Sequence, residues 1–139
     1  MSDRILIVDD TTDVADSLAR LLTTLGYDAK AVYDGESAIQ QAAEFQLDMA
    51  FIDVAMPGLD GYEVVRRIRQ QQGHIHVILI ALTGWAQAAD IQRAYNCGFD
   101  LHVAKPMNVD KLQELLTLLD PAASESPPTK IHRLAAKSA

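Results

Sequence analysis

Short aliphatic runs alternate five times with longer stretches whose apolar residues recur every three or four positions. Runs of the first kind fit a pleated strand and those of the second fit one face of a helix, so the chain reads strand, helix, strand, helix throughout. The strand candidates are Arg4 to Val8, Asp28 to Tyr33, Met49 to Asp53, Val77 to Leu82 and Leu101 to Ala104. The runs at 4–8, 49–52 and 77–80 are almost continuously apolar. A strand with one wet face would alternate, so these three predict central strands covered on both sides. Strands separated by helices of this length imply right-handed crossovers and an α/β fold, a doubly wound five-stranded parallel sheet with five helices. Ligands in such sheets bind at the carboxyl ends of the strands, near the switch in strand order.

The helices carry their own punctuation. Val14, Leu18, Leu21, Leu22 and Leu25 line one face of the first, and Gly26 follows where a left-handed cap belongs. Asp34 precedes a second pattern through Ala38, Ile39 and Ala42, and Asp60 a third through Val64, Val65 and Ile68. Asp60 to Glu63 has the spacing of a capping box. A fourth helix is expected from Gln87 to Asn96 with Ile91, Ala94 and Tyr95 inward, and Asn108 caps a fifth with Leu112, Leu115, Leu116 and Leu119 inward.

A length of 139 residues with 49% hydrophobic content suits one globular domain. The formal net charge of −7 disfavours nucleic acid and anionic lipid as generic partners. No apolar run approaches the ~20 residues of a membrane span, and the N-terminus shows no signal-peptide core. The single cysteine, Cys97, excludes an internal disulfide, and its default reading is a buried structural thiol. The chain is therefore expected in the cytoplasm. Beyond Asp120 the composition shifts: Pro121, Pro127 and Pro128 fall among small and polar residues, and Lys130, Arg133 and Lys137 face the single acid Glu125. The division expected is a domain over 1–120 and a disordered tail over 121–139.

Asp9 and Asp10 close the first strand and Asp53 the third, so three carboxylates should converge at one crevice. Hard oxygens without His or Cys partners suit Mg²⁺, which keeps waters and takes one or two carboxylates plus a phosphate. Any one of these acids alone would be read as a helix cap or turn former; the coincidence of three is what cap duty leaves unexplained. Thr83 and then Gly84 follow the fourth run, and Lys105 followed by Pro106 closes the fifth. Lysine before proline is ordinarily a solvated charge and threonine at a strand end ordinary β-propensity. Aimed into the same crevice, they supply a hydroxyl donor and an ammonium, which with a metal is what a phosphoryl group requires.

With these residues in this order, the chain resembles the receiver domains of bacterial two-component response regulators, over residues 3 to about 120. The resemblance rests on Asp9-Asp10, the run Asp53-Val54-Ala55-Met56-Pro57-Gly58-Leu59-Asp60-Gly61, Leu82-Thr83-Gly84 and Lys105-Pro106. It implies a flavodoxin-like fold in which Asp53 accepts a phosphoryl group from a phosphohistidine. The partner implied is a histidine kinase or a histidine phosphotransfer protein. Asp9, Asp10, Asp53 and the backbone carbonyl of Ala55 would hold Mg²⁺, Thr83 and Lys105 would contact phosphoryl oxygens, and the Lys105-Pro106 peptide would be cis. Thr83 and residue 102 would form the switch, but His102 stands where the family usually has Tyr or Phe. A partly exposed strand histidine without a role is the competing reading of that position. The segment 98–106 is similar to receivers attached to hybrid sensor kinases. Trp85 is placed near the site by its spacing from Thr83, and Ala55 is too small to position a hydrolytic water.

Two other classes compete. Aspartate-nucleophile phosphatases also use carboxylates and Mg²⁺ on a doubly wound sheet, but they resemble Asp-x-Asp on one strand, and here Val54-Ala55 follows Asp53. An inactive receiver-like scaffold would not need the full acidic set together with Thr83 and Lys105. No phosphate-binding glycine motif of a nucleotide-binding protein occurs. The expectation is a signalling receiver that assists its own phosphorylation and dephosphorylation, not an enzyme acting on a separate substrate; its downstream target is unspecified.

Overall fold

Five parallel strands pair in the order β2-β1-β3-β4-β5. The computed structural model describes residues 3–71, 76–84 and 88–119. In chain order the elements are β1 (Arg4–Val8), α1 (Thr12–Thr24), β2 (Asp28–Val32), α2 (Gly35–Glu44), β3 (Met49–Asp53), α3 (Gly61–Gln70), β4 (Ile78–Thr83), α4 (Ala88–Cys97), β5 (Leu101–Ala104) and α5 (Val109–Leu116), the last followed by a 3₁₀ turn, Thr117–Leu119. The strands read as central are central: β1, β3 and β4 are buried almost end to end, whereas the edge strands β2 and β5 alternate. Among the described residues no helix is long and apolar enough to cross a membrane.

The sheet divides two cores. Leu6, Val8, Ala50, Ile52, Leu79 and Ala81 face α2, α3 and α4, where Val64, Val65 and Ile68 are fully buried. Ile5, Ile7, Met49, Phe51, Ile80 and Leu82 face α1 and α5, where Leu22, Leu112, Leu115 and Leu116 meet them. Each such aliphatic side chain contributes roughly 1.5–3 kcal/mol on full burial.

The caps form as expected. Asp34, Asp60 and Asn108 accept from the backbone N–H of Ser37, Glu63 and Lys111. Gly26, at φ 101°, closes α1 with two backbone bonds, Gly26 N–H to Thr23 O and Tyr27 N–H to Leu22 O. The capping box is only half made, because the Glu63 carboxylate pairs with Arg66 and Arg67 instead of turning back to Asp60.

Other details differ from the sequence reading. β2 stops at Val32, and Tyr33, 41% exposed, donates its hydroxyl to Asp16. β4 runs one residue later than expected, because pairing begins at Met49 with Ile78 and ends at Thr83 with Ala104. On α1 it is Ala15 and Leu22 that are buried, while Val14 and Leu25 are 48% and 44% exposed. Leu18 and Leu21 are half-buried. The stripe is too wide for one sheet to cover and overhangs the β5–α5 connection. Among the α4 residues whose burial is described, only Ala94 is fully inside, with Ile91 and Tyr95 half-buried. Cys97 is half-buried with Arg66 Nη2 3.3 Å from its sulfur, so the buried-thiol reading is corrected. Gln87, Trp85, His74, His132 and the tail from Asp120 onward lie outside the described residues.

Arg69, near the end of α3, clamps the far edge of the sheet. Its guanidinium donates to Val77 O at 3.0 Å, Gly98 O at 2.9 Å and the Asp100 carboxylate at 2.6 Å, and Asp100 also accepts from Leu79 N–H. One side chain thus aligns the starts of β4 and β5, whose far ends carry Thr83 and Lys105.

Candidate functional site

The reversal of strand order at β1, with β2 on one side and β3 on the other, opens a crevice at the carboxyl edge. Asp9 leaves β1 there and Asp53 ends β3 beside it, fully or nearly fully buried at 0% and 3% exposure. Each carboxylate is held by a turn of its own: Asp9 Oδ1 accepts from Thr11 N–H and Asp53 Oδ1 from Ala55 N–H, both at 3.0 Å. The cap reading of these acids is therefore partly correct, yet it uses only one oxygen of each. The second oxygens turn to Lys105, whose ammonium lies 2.9 Å from Asp53 Oδ2 and 3.3 Å from Asp9 Oδ2. Asp10 stays exposed, but one carboxylate oxygen each from Asp9, Asp10 and Asp53 lie within 4.8 Å of one another.

Electrostatics follow from this crowding. Burial pushes the Asp9 carboxyl above its ordinary value; the Thr11 N–H pulls it back, the Asp53 charge raises it again and Lys105 opposes. Burial alone would lower the Lys105 ammonium, but its bond and charge interaction with Asp53, then those with Asp9, outweigh burial and raise it. Lys105 is thus a firm cation facing two buried anions.

The donor set fits a small hard cation. Three carboxylates cluster where one ammonium pairs with two of them, Asp9 and Asp53, and Asp9 Oδ2 is buried with no hydrogen bond beyond that ion pair. Oxygen ligands, excess negative charge and an open solvent side at Asp10 suit Mg²⁺, which retains several waters.

Across the crevice Thr83 is 1% exposed and its Oγ1 has no hydrogen-bond partner among the described residues. A buried hydroxyl left unpaired costs about 1–3 kcal/mol, so the position favours any acceptor that arrives there. Lys105 N–H donates to Thr83 O at 2.8 Å, tying the ends of β4 and β5 together, and the Lys105-Pro106 peptide is cis. The structure therefore brings Asp9, Asp10, Asp53, Ala55, Thr83 and Lys105 to one place.

His102 does not join them. On the edge strand β5 it is half-buried and turns toward α4, where the Tyr95 hydroxyl lies 2.9 Å from its Nδ1 and the rings meet edge to face. Burial, then the Lys111 charge, lowers the imidazole below its ordinary value and favours the neutral ring, whose tautomer decides which partner donates in the bond with Tyr95. His102 is thus a half-buried strand histidine, as one of the two sequence readings had it, with Tyr95 as its partner. Sequence reasoning missed this pair, and also Asp90, which lines a cavity with Thr83. Neither carries a local motif; both depend on α4 crossing the edge of the sheet.

Comparison with known proteins agrees with the geometry. The family model for the response regulator receiver domain matches residues 5–117. The sensor protein EvgS of Escherichia coli O157:H7 is 35% identical over 119 residues, covering 86% of this chain and 10% of that protein. The sensor histidine kinase RcsC of Escherichia coli K12 is 36% identical over 114 residues, covering 82% and 12%. The chain thus spans about a tenth of the length of these relatives. Among solved structures, the receiver domain of the sensor histidine kinase PA1611 from Pseudomonas aeruginosa PAO1, with a magnesium ion coordinated in its active-site cleft, is 32% identical. It superposes with a TM-score of 0.77, covering 85% of this chain and 97% of that one. The chemotaxis protein CheY4 of Vibrio cholerae, 25% identical, gives 0.81 over 85% and 98%. With its strand order, its acidic cluster and its match over residues 5–117, the chain belongs to the response regulator receiver family, the phosphoaccepting signalling domains of two-component systems.

Proposed function

We propose that Asp53 is the phosphoacceptor of this receiver and takes its phosphoryl group from a phosphohistidine on a histidine kinase or histidine phosphotransfer protein. The observation that carries the reading is the placement of Asp53: its Oδ1 is fixed by Ala55 N–H, while Oδ2 faces Lys105 at 2.9 Å. Oδ2 is then the nucleophile. It forms a bond to phosphorus as the phosphorus–nitrogen bond of the donor breaks, and the departing imidazole takes its proton from solvent. In-line positioning and charge neutralisation carry this chemistry, and it needs no general base. Asp9, Asp10, Asp53 and the Ala55 carbonyl would hold Mg²⁺, which when bound neutralises charge on the phosphoryl oxygens. Lys105 shifts from its carboxylates to one of those oxygens, and Thr83 Oγ1 donates to another.

The relatives named as sensor kinases support a histidine-bearing donor. So does a groove of about 480 Å³ that starts at Asp9 and Lys105 and runs along Val14, Leu18, Leu21 and Met107, an apolar surface beside the acceptor. The test is intact-mass measurement after treatment with acetyl phosphate and Mg²⁺. One phosphate is expected on the wild type and none on Asp53→Asn; equal labelling of the two would refute the assignment.

A further inference from the structure

On the side of the crevice away from α1, a chamber of about 210 Å³ opens between the ends of β3 and β4 and the first turn of α4. Val54, Ala55, Tyr62, Thr83, Gly84 and Asp90 line it. At ~30 Å³ per molecule in the liquid, a space of this size holds several waters. It meets the crevice at Ala55 and Thr83, the two residues that flank a group attached to Asp53. A phosphoryl group on Asp53 Oδ2 would have oxygens within reach of Lys105 and Thr83, and a face left toward the chamber at Ala55 and Thr83 would be open to water. Water that hydrolyses the acyl phosphate must attack in line from that face.

Among the described residues the lining contains few groups that can hold such a water. Val54, Ala55 and Gly84 have no polar side-chain atom, and Thr83 is engaged by the phosphoryl group. Tyr62 is 7% exposed, with the Arg93 guanidinium 4.0 Å above its ring. Asp90 remains, a half-buried carboxylate in the first turn of α4. Its charge is felt inside the chamber: the Tyr62 hydroxyl is raised first by burial and next by Asp90.

We infer that Asp90 sets the lifetime of the phosphorylated state by accepting a hydrogen bond from the attacking water and orienting it toward phosphorus. This rests on Asp53 being the phosphoacceptor. Water forms the new bond to phosphorus as the phosphorus–oxygen bond to Asp53 breaks. The Asp53 carboxylate is regenerated, inorganic phosphate leaves, and the water's proton is released to solvent. Ala55 cannot perform this orientation, so the role falls to a different element of the fold. Asp90 acts through the water and is a positioning residue.

The test follows the decay of the phosphate on Asp53 by intact mass, in the full chain, after labelling with acetyl phosphate and Mg²⁺ and removal of the donor. Asp90→Ala is expected to lengthen the half-life about tenfold, below the ~100-fold of a full general base because the loose transition state needs little proton transfer. Asp90→Asn keeps an acceptor oxygen and is expected to decay within about twofold of the wild type, a rescue that a purely structural role would not produce. An unchanged half-life in Asp90→Ala, or an Asn variant as slow as the Ala variant, overturns the inference. A wild type that takes no phosphate on Asp53 refutes the phosphoacceptor reading instead.

Discussion

Gly61 is where fold and site meet most closely, and replacing it with alanine tests that junction. The residue opens α3, is buried, and donates its N–H to Val54 O at 3.3 Å. A Cβ there would stand 2.6 Å from Asp53 O and 2.7 Å from Val54 Cα. Ordinary contacts are roughly 3.3 Å for carbon to carbonyl oxygen and 3.5 Å for carbon to carbon, so both fall about 0.7–0.8 Å inside. Both opposing atoms are backbone and cannot rotate away, which places the cost near the top of the ~1–3 kcal/mol range for overpacking. Better helix propensity returns up to about 1 kcal/mol. The net loss is ~2 kcal/mol, or roughly 6–10 °C in Tm for a domain of this size. Because the atoms that give way include the carbonyl of Asp53, the proposed acceptor shifts too. Half an ångström of misplacement slows labelling by about tenfold. Thermal unfolding by circular dichroism reads the first effect and acetyl phosphate labelling by intact mass the second. Gly84→Ala, whose Cβ would meet nothing within 4 Å, is the control for Tm. A Gly61→Ala protein that melts with the wild type and labels at the same rate would refute the argument.

Arg69→Met keeps the aliphatic bulk but removes the guanidinium donor from Val77 O, Gly98 O and Asp100, which keeps only Leu79 N–H of the two donors described above, and a loss of about 2–4 kcal/mol is expected in urea unfolding, with Asp100→Asn milder. The lowered pKa of His102 makes the folded state bind fewer protons than the unfolded state below the ordinary value of 6.5. Its share of the stability is therefore present above 6.5 and is lost as pH falls through the folded value, and His102→Gln should flatten that part of the stability profile between pH 7 and 5. Mg²⁺ should raise the Tm of the wild type by mass action and leave Asp10→Ala nearly unmoved. Removing residues 122–139 is expected to leave Tm and labelling unchanged, since the tail offers little apolar surface beyond Ile131 and Leu134.

What could be read from the chain was local or periodic. β1, β3 and β4 announced themselves because burial on both faces removes polar residues from them, and their aliphatic continuity records that burial. Asp34, Asp60, Asn108 and Gly26 were legible because a cap is satisfied within three or four residues. The acids and Thr83 could be assigned to one crevice because parallel strands deliver all their carboxyl ends to the same edge. Contacts that join distant elements left no such trace. Arg69 and Asp100 are 31 residues apart, and only the packing of α3 beside the α4–β5 loop makes them partners. Val14 and Leu25 looked like core because a helical stripe shows which residues share a face, not how far the sheet extends beneath them. Tyr95 and Asp90 were invisible as site residues for the same reason, since their partners lie on another element.

The strand order also bears on how the domain comes into being during synthesis. After β1 and β2 have paired, β3 adds to the free side of β1, β4 to β3 and β5 to β4, so no strand has to insert between two already joined. The order of synthesis is thus also an order in which strands can be added outward from β1. Asp9 and Asp53 arrive early, bringing two buried acids without a cation, and the hydroxyl of Thr83 follows. Lys105 comes at the very end of the last strand, 2.9 Å from the acceptor it serves. A nascent or truncated chain that stops short of it carries the acceptor but not the charge that steadies it. With Asp53 as the proposed phosphoacceptor, competence to receive a signal is expected only once Lys105 is in place.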